Sequence, residues 1–149
     1  MPLRGVPDCV TPELLYALAR MGHGDGLVIA DANFPSDSVA ADCTISKHPI
    51  RVAGTTSQIL KAVLQLMPVD QYMEYPLKVM DRVPADKERD LDVPAYALLA
   101  AAADLDAVGK MEYLERQRFY DVAKQQCFVV QTTDRSLYAN VIVHKGVLP

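Results

Sequence analysis

The stretch Met21-Gly22-His23-Gly24-Asp25-Gly26-Leu27-Val28-Ile29-Ala30-Asp31-Ala32-Asn33-Phe34-Pro35 decides how the chain folds. Its centre, residues 27–30, is a continuous apolar run, the pattern of a short strand covered on both faces. On the amino side a helix runs into it. Thr11-Pro12-Glu13 supplies a capping threonine, a proline at the first helical position and an acid in the first turn. Leu14, Leu18 and Met21 then form one apolar stripe, and Gly22 stops the helix. On the carboxyl side residues 31–38 turn polar. The unit is helix, glycine turn, buried strand, polar turn.

The same grammar repeats outward. Residues 48–52 read as a second strand. Thr55 and Gln58 have the spacing of a capping box, and Ile59, Leu60, Val63, Leu64 and Met67 mark an amphipathic helix closed by Pro68. A strand is expected over 77–83, a helix from Pro94 to 108, a strand over 111–114 and a helix over 119–126. Strands over 128–132 and 140–144 finish the chain. Strands alternating with helices predict an α/β fold. We expect one domain over 1–149, with three layers, helices covering both faces of a mixed, mainly parallel sheet. The last two strands lie too close in sequence for a parallel crossover; the spacing allows an antiparallel hairpin, which is why the sheet is expected to be mixed.

Composition narrows the function classes. Of 149 residues, 50% are hydrophobic and 23% charged, values ordinary for a globular domain. The net charge is −4 and basic residues never run longer than two, which argues against nucleic acid or an anionic membrane surface as partner. The longest apolar stretch, residues 95–103, falls far short of the roughly 20 residues that span a bilayer. Met1-Pro2-Leu3-Arg4-Gly5 holds no apolar run of signal-peptide length, so no signal peptide is expected. The three cysteines, Cys9, Cys43 and Cys127, are widely spaced, which fits reduced thiols and a cytoplasmic location. A neutral small molecule remains open as ligand.

Polar residues in and near the opening stretch carry the chemistry. A dinucleotide fingerprint follows a strand and opens a helix; here the glycines end a helix and open a strand, so no nucleotide cofactor is expected. His23 reads either as a general acid/base or as a solvated turn residue, with Asp25 biasing its tautomer or capping the turn. Asp31, at a strand's carboxyl end, either accepts bonds from ligand hydroxyls or starts an Asx-turn with Asn33. Cys43, Cys127, His23 and His48 have no zinc-ligand spacing, and no metal is expected. Near the end, Arg116, Tyr120, Tyr138 and Asn140 combine guanidinium, phenol and amide groups that suit a carbohydrate. The two tyrosines serve equally well as structural anchors.

Taken together, Met21-Gly22-His23-Gly24-Asp25, Asp31-Ala32-Asn33-Phe34-Pro35, Leu66-Met67-Pro68-Val69-Asp70, Arg118-Phe119-Tyr120, Tyr138-Ala139-Asn140 and Lys145-Gly146-Val147 resemble the family of fucose mutarotases and ribose pyranases. Asn33-Phe34-Pro35 and Arg118-Phe119-Tyr120 are more similar to the fucose branch. The resemblance implies interconversion of the α and β anomers of L-fucose without any cofactor, with His23 as proton donor and Tyr120 as second catalytic group. It implies sugar contacts from Asp31, Asp70, Tyr138 and Asn140, with Arg116 matching a family arginine. It also implies a homo-oligomer, a ring-based decamer or a dimer, with sites where subunits meet. A ribose pyranase and a non-catalytic sugar sensor are the competing readings. Arg51-Val52-Ala53-Gly54 departs from the family's Arg-Ala-Asp-Gly, and Gln131-Thr132-Thr133-Asp134 from its Thr-Gly-Glu pattern.

Overall fold

Residues 27–30 lie in strand β1, Gly26–Ala30, every residue of which is buried. Alternation splits its side chains between two cores. Leu27 and Ile29 face one hydrophobic cluster, Val28 and Ala30 the other. In the computed structural model, which describes residues 1–108 and 111–149, β1 stands near the middle of a six-stranded sheet. The other strands are β2 (Ile50–Arg51), β3 (Leu77–Met80), β4 (Met111–Leu114), β5 (Phe128–Gln131) and β6 (Val141–His144). Their order is β2-β5-β1-β6-β3-β4. Fully burying one Leu or Ile stabilises by about 1.5–3 kcal/mol, so a strand dressed on both faces anchors the molecule.

The first face is covered by α1 (Pro12–Arg20) and α3 (Thr56–Leu66), whose Leu14, Leu18, Ile59, Leu60 and Val63 meet Leu27, Ile29, Val130, Val141 and Val143. Leu99 and Ala103 join that core from α5 (Pro94–Ala102) and just beyond it. The second face is covered by α2 (Ser36–Ala40) and α7 (Arg116–Ala123), through Val39, Phe119, Val122 and Ala123. Two short helices complete the chain, α4 (Pro84–Glu88) and α6 (Leu105–Val108). The α/β, three-layer arrangement with a mixed sheet is as expected. Both expected caps form: Thr11 accepts from Leu14 N–H, and Thr55 and Gln58 close a full capping box.

The last strand is antiparallel and makes the sheet mixed, as expected, but the hairpin that the spacing allows does not form. β6 runs antiparallel to β1 and β3 and lies between them, while β5 pairs in parallel with β1 and β2. The short connection crosses over one strand instead of turning back beside its own. Burial explains the choice: Val141, Ile142 and Val143 are all fully buried, and only an interior position covers both faces of such a strand.

Boundaries shift for local reasons. The helix expected to reach residue 108 breaks after Ala102, and Asp104 then takes a left-handed backbone, φ 49°. β3 ends at Met80, before Val83 adopts the extended form that precedes proline. α7 begins at Arg116, three residues early, because the Glu115 side chain accepts from Gln117 and Arg118 N–H and serves as an uncommon N-cap.

Candidate functional site

Five of the six strands point the same way, so the sheet has an amino rim and a carboxyl rim. β1 spans five residues, which at about 3.3 Å each separates the rims by roughly 15 Å. The expected site residues divide between them. Asp31, Arg116, Tyr120, Tyr138 and Asn140 gather at the carboxyl rim; His23 and Asp70 meet at the amino rim.

The carboxyl rim holds a cleft of about 290 Å³ lined by Asp31, Asn33, Phe34, Met80, Val83, Asp86, Arg116, Tyr120, Leu137, Tyr138 and Asn140. A larger cleft of about 600 Å³ between α1 and residues 45–51 contains none of the candidate residues, so volume does not select the site. Asp31 and Asn140 form a reciprocal pair. Asp31 N–H donates to Asn140 Oδ1 at 2.8 Å, and Asn140 Nδ2 donates to Asp31 Oδ2 at 3.0 Å. Asn33 N–H closes an Asx-turn on Asp31 Oδ1 at 2.9 Å, so the turn reading of Asp31 holds. Burial pushes the Asp31 carboxyl up, against the lowering pull of Asn33 and Asn140. Tyr120 on α7 packs edge-on against Phe34, ring centroids 5.6 Å apart. Arg116 occupies the first position of the same helix, one turn earlier.

Tyr138 is held by partners that local sequence does not announce. Its hydroxyl donates to Asp86 Oδ2 and accepts from Val83 N–H at 3.1 Å. Its backbone lies in the left-handed region at φ 59°, a conformation a bulky residue adopts only when its surroundings impose it. Asp86 was not among the expected residues. It lies 52 positions from Tyr138, and no short motif links the two.

At the amino rim His23 Nε2 lies 3.1 Å from Asp70 Oδ1. The imidazole is about half exposed while the carboxylate is buried. Asp25 is not the histidine's partner: its Oδ2 accepts Gly22 N–H at 2.8 Å and so caps the turn. Burial pushes Asp70 up, but bonds from Tyr72 N–H and His23 outweigh it and hold the carboxyl below its ordinary value. Tyr72 leans over the imidazole, centroids 5.6 Å apart. The turn is fixed from behind. Gly24, at φ 85°, donates its N–H to Lys145 O and accepts from His144 Nδ1 at 3.2 Å. That bond puts the His144 proton on Nδ1 and leaves Nε2 to accept from Lys78 Nζ at 3.4 Å. Burial, with Lys78 adding to it, keeps His144 below the ordinary histidine range. Lys78 and His144, also absent from the expected set, thus hold the loop that carries His23.

The sequence and the fold have known counterparts. The model of the RbsD / FucU transport protein family matches residues 4–148. The chain belongs to this family. It is 47% identical to the fucose mutarotase of Homo sapiens, over 98% of this chain and 94% of that one. Its fold matches FucU from Bifidobacterium longum with a TM-score of 0.84 at 36% identity, covering 97% and 100% of the two chains. It matches the Streptococcus pneumoniae fucose mutarotase in complex with L-fucose with a TM-score of 0.82 at 33% identity, covering 99% and 100%. In this RbsD / FucU chain the two sequence departures meet in space: Gly54 N–H donates to Thr133 Oγ1 at 2.9 Å, and that hydroxyl donates back to Gly54 O. The two stretches adjoin at the carboxyl rim, and Asp134 of the second acts on the Asp31 carboxyl and, through its backbone carbonyl, accepts from Ala32 N–H at 2.7 Å. Among the described residues no helix is long and apolar enough to cross a membrane.

Proposed function

We propose that the chain interconverts the α and β anomers of L-fucose by acid/base-catalysed ring opening and closure, in a site built from two subunits. One subunit contributes the amino rim, His23 with Asp70. Its neighbour contributes the carboxyl rim, with Tyr120 as the second proton-transfer group and Asp31, Arg116, Tyr138 and Asn140 around the sugar. The observation that carries the reading is the complementarity of the rims. One presents a half-exposed imidazole bonded to a buried carboxylate; the other presents a phenol beside a carboxylate–amide pair and a guanidinium. Within one chain they are too far apart to touch one monosaccharide. The relatives that act on or hold L-fucose support the choice of sugar.

The chemistry needs one acid and one base. The anomeric hydroxyl gives up its proton, its oxygen becomes the aldehyde oxygen, and the C1–O5 bond breaks as O5 takes a proton. Rotation about C1–C2 and closure, with the proton roles reversed, give the other anomer. Asp70 engages His23 Nε2, so Nδ1 is the nitrogen left to exchange a proton with O5. Tyr120 serves the anomeric oxygen. A positioned proton-transfer group contributes about 10²–10⁴-fold each, enough without a cofactor. A homo-oligomer, a ring-based decamer or a dimer, follows from a site shared between chains. A cytoplasmic setting belongs to the same reading and is supported by the free thiols of Cys9, Cys43 and Cys127.

Saturation-transfer NMR on equilibrated L-fucose and D-ribose in parallel tests the proposal. Faster exchange between the fucose anomer signals is the expected result. Binding without faster exchange indicates a sensor, and acceleration confined to ribose indicates a pyranase; either overturns it.

A further inference from the structure

The Tyr138 hydroxyl faces protein on both counts that matter. Its one proton goes to Asp86 Oδ2, and it accepts the Val83 N–H. Asp86 in turn is gripped by Arg89, with Nε at 2.9 Å and Nη2 at 2.7 Å from Oδ1. The segment around it is tied down by further ion pairs, Lys87 with Asp81 and Arg82 with Asp90, and by Arg82 Nη1 donating to Leu91 O at 2.8 Å. Pro84 at the first position of α4 fixes the backbone that presents Asp86. All of this holds a side chain whose own backbone conformation is unfavourable, φ 59°. Strain of this kind at a binding cleft persists because the surroundings over-determine it.

We propose that Asp86 is a positioning residue for the sugar site: it accepts the hydrogen bond of the Tyr138 hydroxyl and so presents Tyr138 to the sugar as a ring face and not as a hydrogen-bonding hydroxyl. The inference rests on the mutarotase reading and deepens it by naming what selects the substrate. Phe34, Met80, Val83 and Leu137 line the same cleft, so the Tyr138 ring joins an apolar part of a lining that also holds the polar Asp31–Asn140 pair. A sugar with one C–H-rich face and one hydroxyl-rich face fits such a cleft, and a 6-deoxy sugar, whose methyl extends the apolar face, fits it better than a pentose. The charge states agree with the geometry. The Tyr138 bond, with Arg89, holds the Asp86 carboxyl below its ordinary value, and burial together with Asp86 holds the Tyr138 phenol above its own. The proton therefore stays on the tyrosine.

The test compares Asp86→Ala, Asp86→Asn, Tyr138→Phe and the double variant Asp86→Ala/Tyr138→Phe in the assembled full-length protein, with kcat and KM for L-fucose taken from NMR exchange. Asp86→Ala and Tyr138→Phe should each raise KM by about tenfold, with kcat within about twofold, the scale expected for losing one positioning hydrogen bond. The double variant should be no worse than either single, because both break the same bond. Asp86→Asn keeps an acceptor for the hydroxyl and should stay within about threefold of wild type. With tyrosine labelled at ¹³Cζ, the signal missing from Tyr138→Phe should shift in Asp86→Ala, whatever the activity. An unshifted signal, or an unchanged KM in Asp86→Ala, overturns the inference. So does a Tyr138→Phe defect that multiplies with that of Asp86→Ala, since the hydroxyl would then contact the sugar directly. If wild type exchanges no anomers, the mutarotase reading fails. Fucose affinity by saturation-difference NMR then replaces KM in the same comparison, with the same outcomes.

Discussion

Asp31 and Asp70 are both buried carboxylates, one at each rim of the same sheet, yet their environments push them in opposite directions. Both are nearly closed to solvent, 5% exposed for Asp31 and 3% for Asp70, but Asp31 lies deeper among protein atoms, so burial weighs more heavily on it. Asp31 is held by backbone amides and the neutral Asn140 side chain and faces the carboxylate of Asp134, and burial wins: its pKa rises. Asp70 accepts from Tyr72 N–H and from His23, with His144 also nearby, and the bonds win: its pKa falls. Depth of burial and what stands opposite a buried acid together decide its state. At the amino rim the acid is a fixed negative charge behind an imidazole. At the carboxyl rim it is one half of a reciprocal carboxylate–amide pair with Asn140.

The largest expected effects fall on His23 and Tyr120, the two groups proposed to move protons. His23→Gln and Tyr120→Phe should each slow anomer exchange by about 10²-fold or more, with fucose affinity changed far less. NMR exchange rates on variants whose fold and assembly are intact by circular dichroism and light scattering check this. Wild-type rates in both would remove the pair from the mechanism. Next in size is Asp70→Asn, which keeps a hydrogen-bond acceptor but loses the charge behind His23. An exchange rate about tenfold lower is expected, and a rate equal to wild type would detach Asp70 from catalysis.

The comparison of the two acids is sharpened by stability against pH. A carboxyl whose folded pKa is depressed contributes stability above its unfolded value, near 3.8, and loses it as pH falls through the folded value. A carboxyl whose folded pKa is raised contributes only below 3.8 and loses that contribution as pH rises through the folded value. Relative to wild type, Tm of Asp70→Asn should therefore be worse at pH 7 than at about pH 3. Tm of Asp31→Asn should be better at pH 7 than at about pH 3. Differential scanning calorimetry over that range measures both, and slopes of the same sign would break the contrast. The smallest expected effect is none: exchange should survive exhaustive chelation. A loss restored by one metal ion would contradict the cofactor-free chemistry.

What local sequence made legible follows the range of the interactions. Thr11 and Thr55 cap their helices through residues three positions away, and β1 is marked by its own side chains, so those elements were readable. The place of β6 between β1 and β3 was not, because adjacency in sequence favours a hairpin and only burial on both faces overrides it. The site divides the same way. His23, Tyr120 and the Asp31 turn are marked by local pattern and family resemblance. The histidine's partner is not Asp25, two residues away, but Asp70, 47 away. Asp86 meets Tyr138 across 52 residues, and Lys78 meets His144 across 66. These contacts exist only once the sheet is assembled.

The central claim is that the two rims act together only across a subunit boundary. Co-expression of His23→Gln chains with Tyr120→Phe chains tests it most directly. If each site takes its amino rim from one subunit and its carboxyl rim from the next, random mixing leaves about a quarter of the sites with both wild-type groups. Mixed assemblies should then recover about a quarter of the wild-type exchange rate, although either variant alone is nearly inactive. Mixed assemblies that remain as inactive as their parents would place both groups in one chain's site and contradict the account.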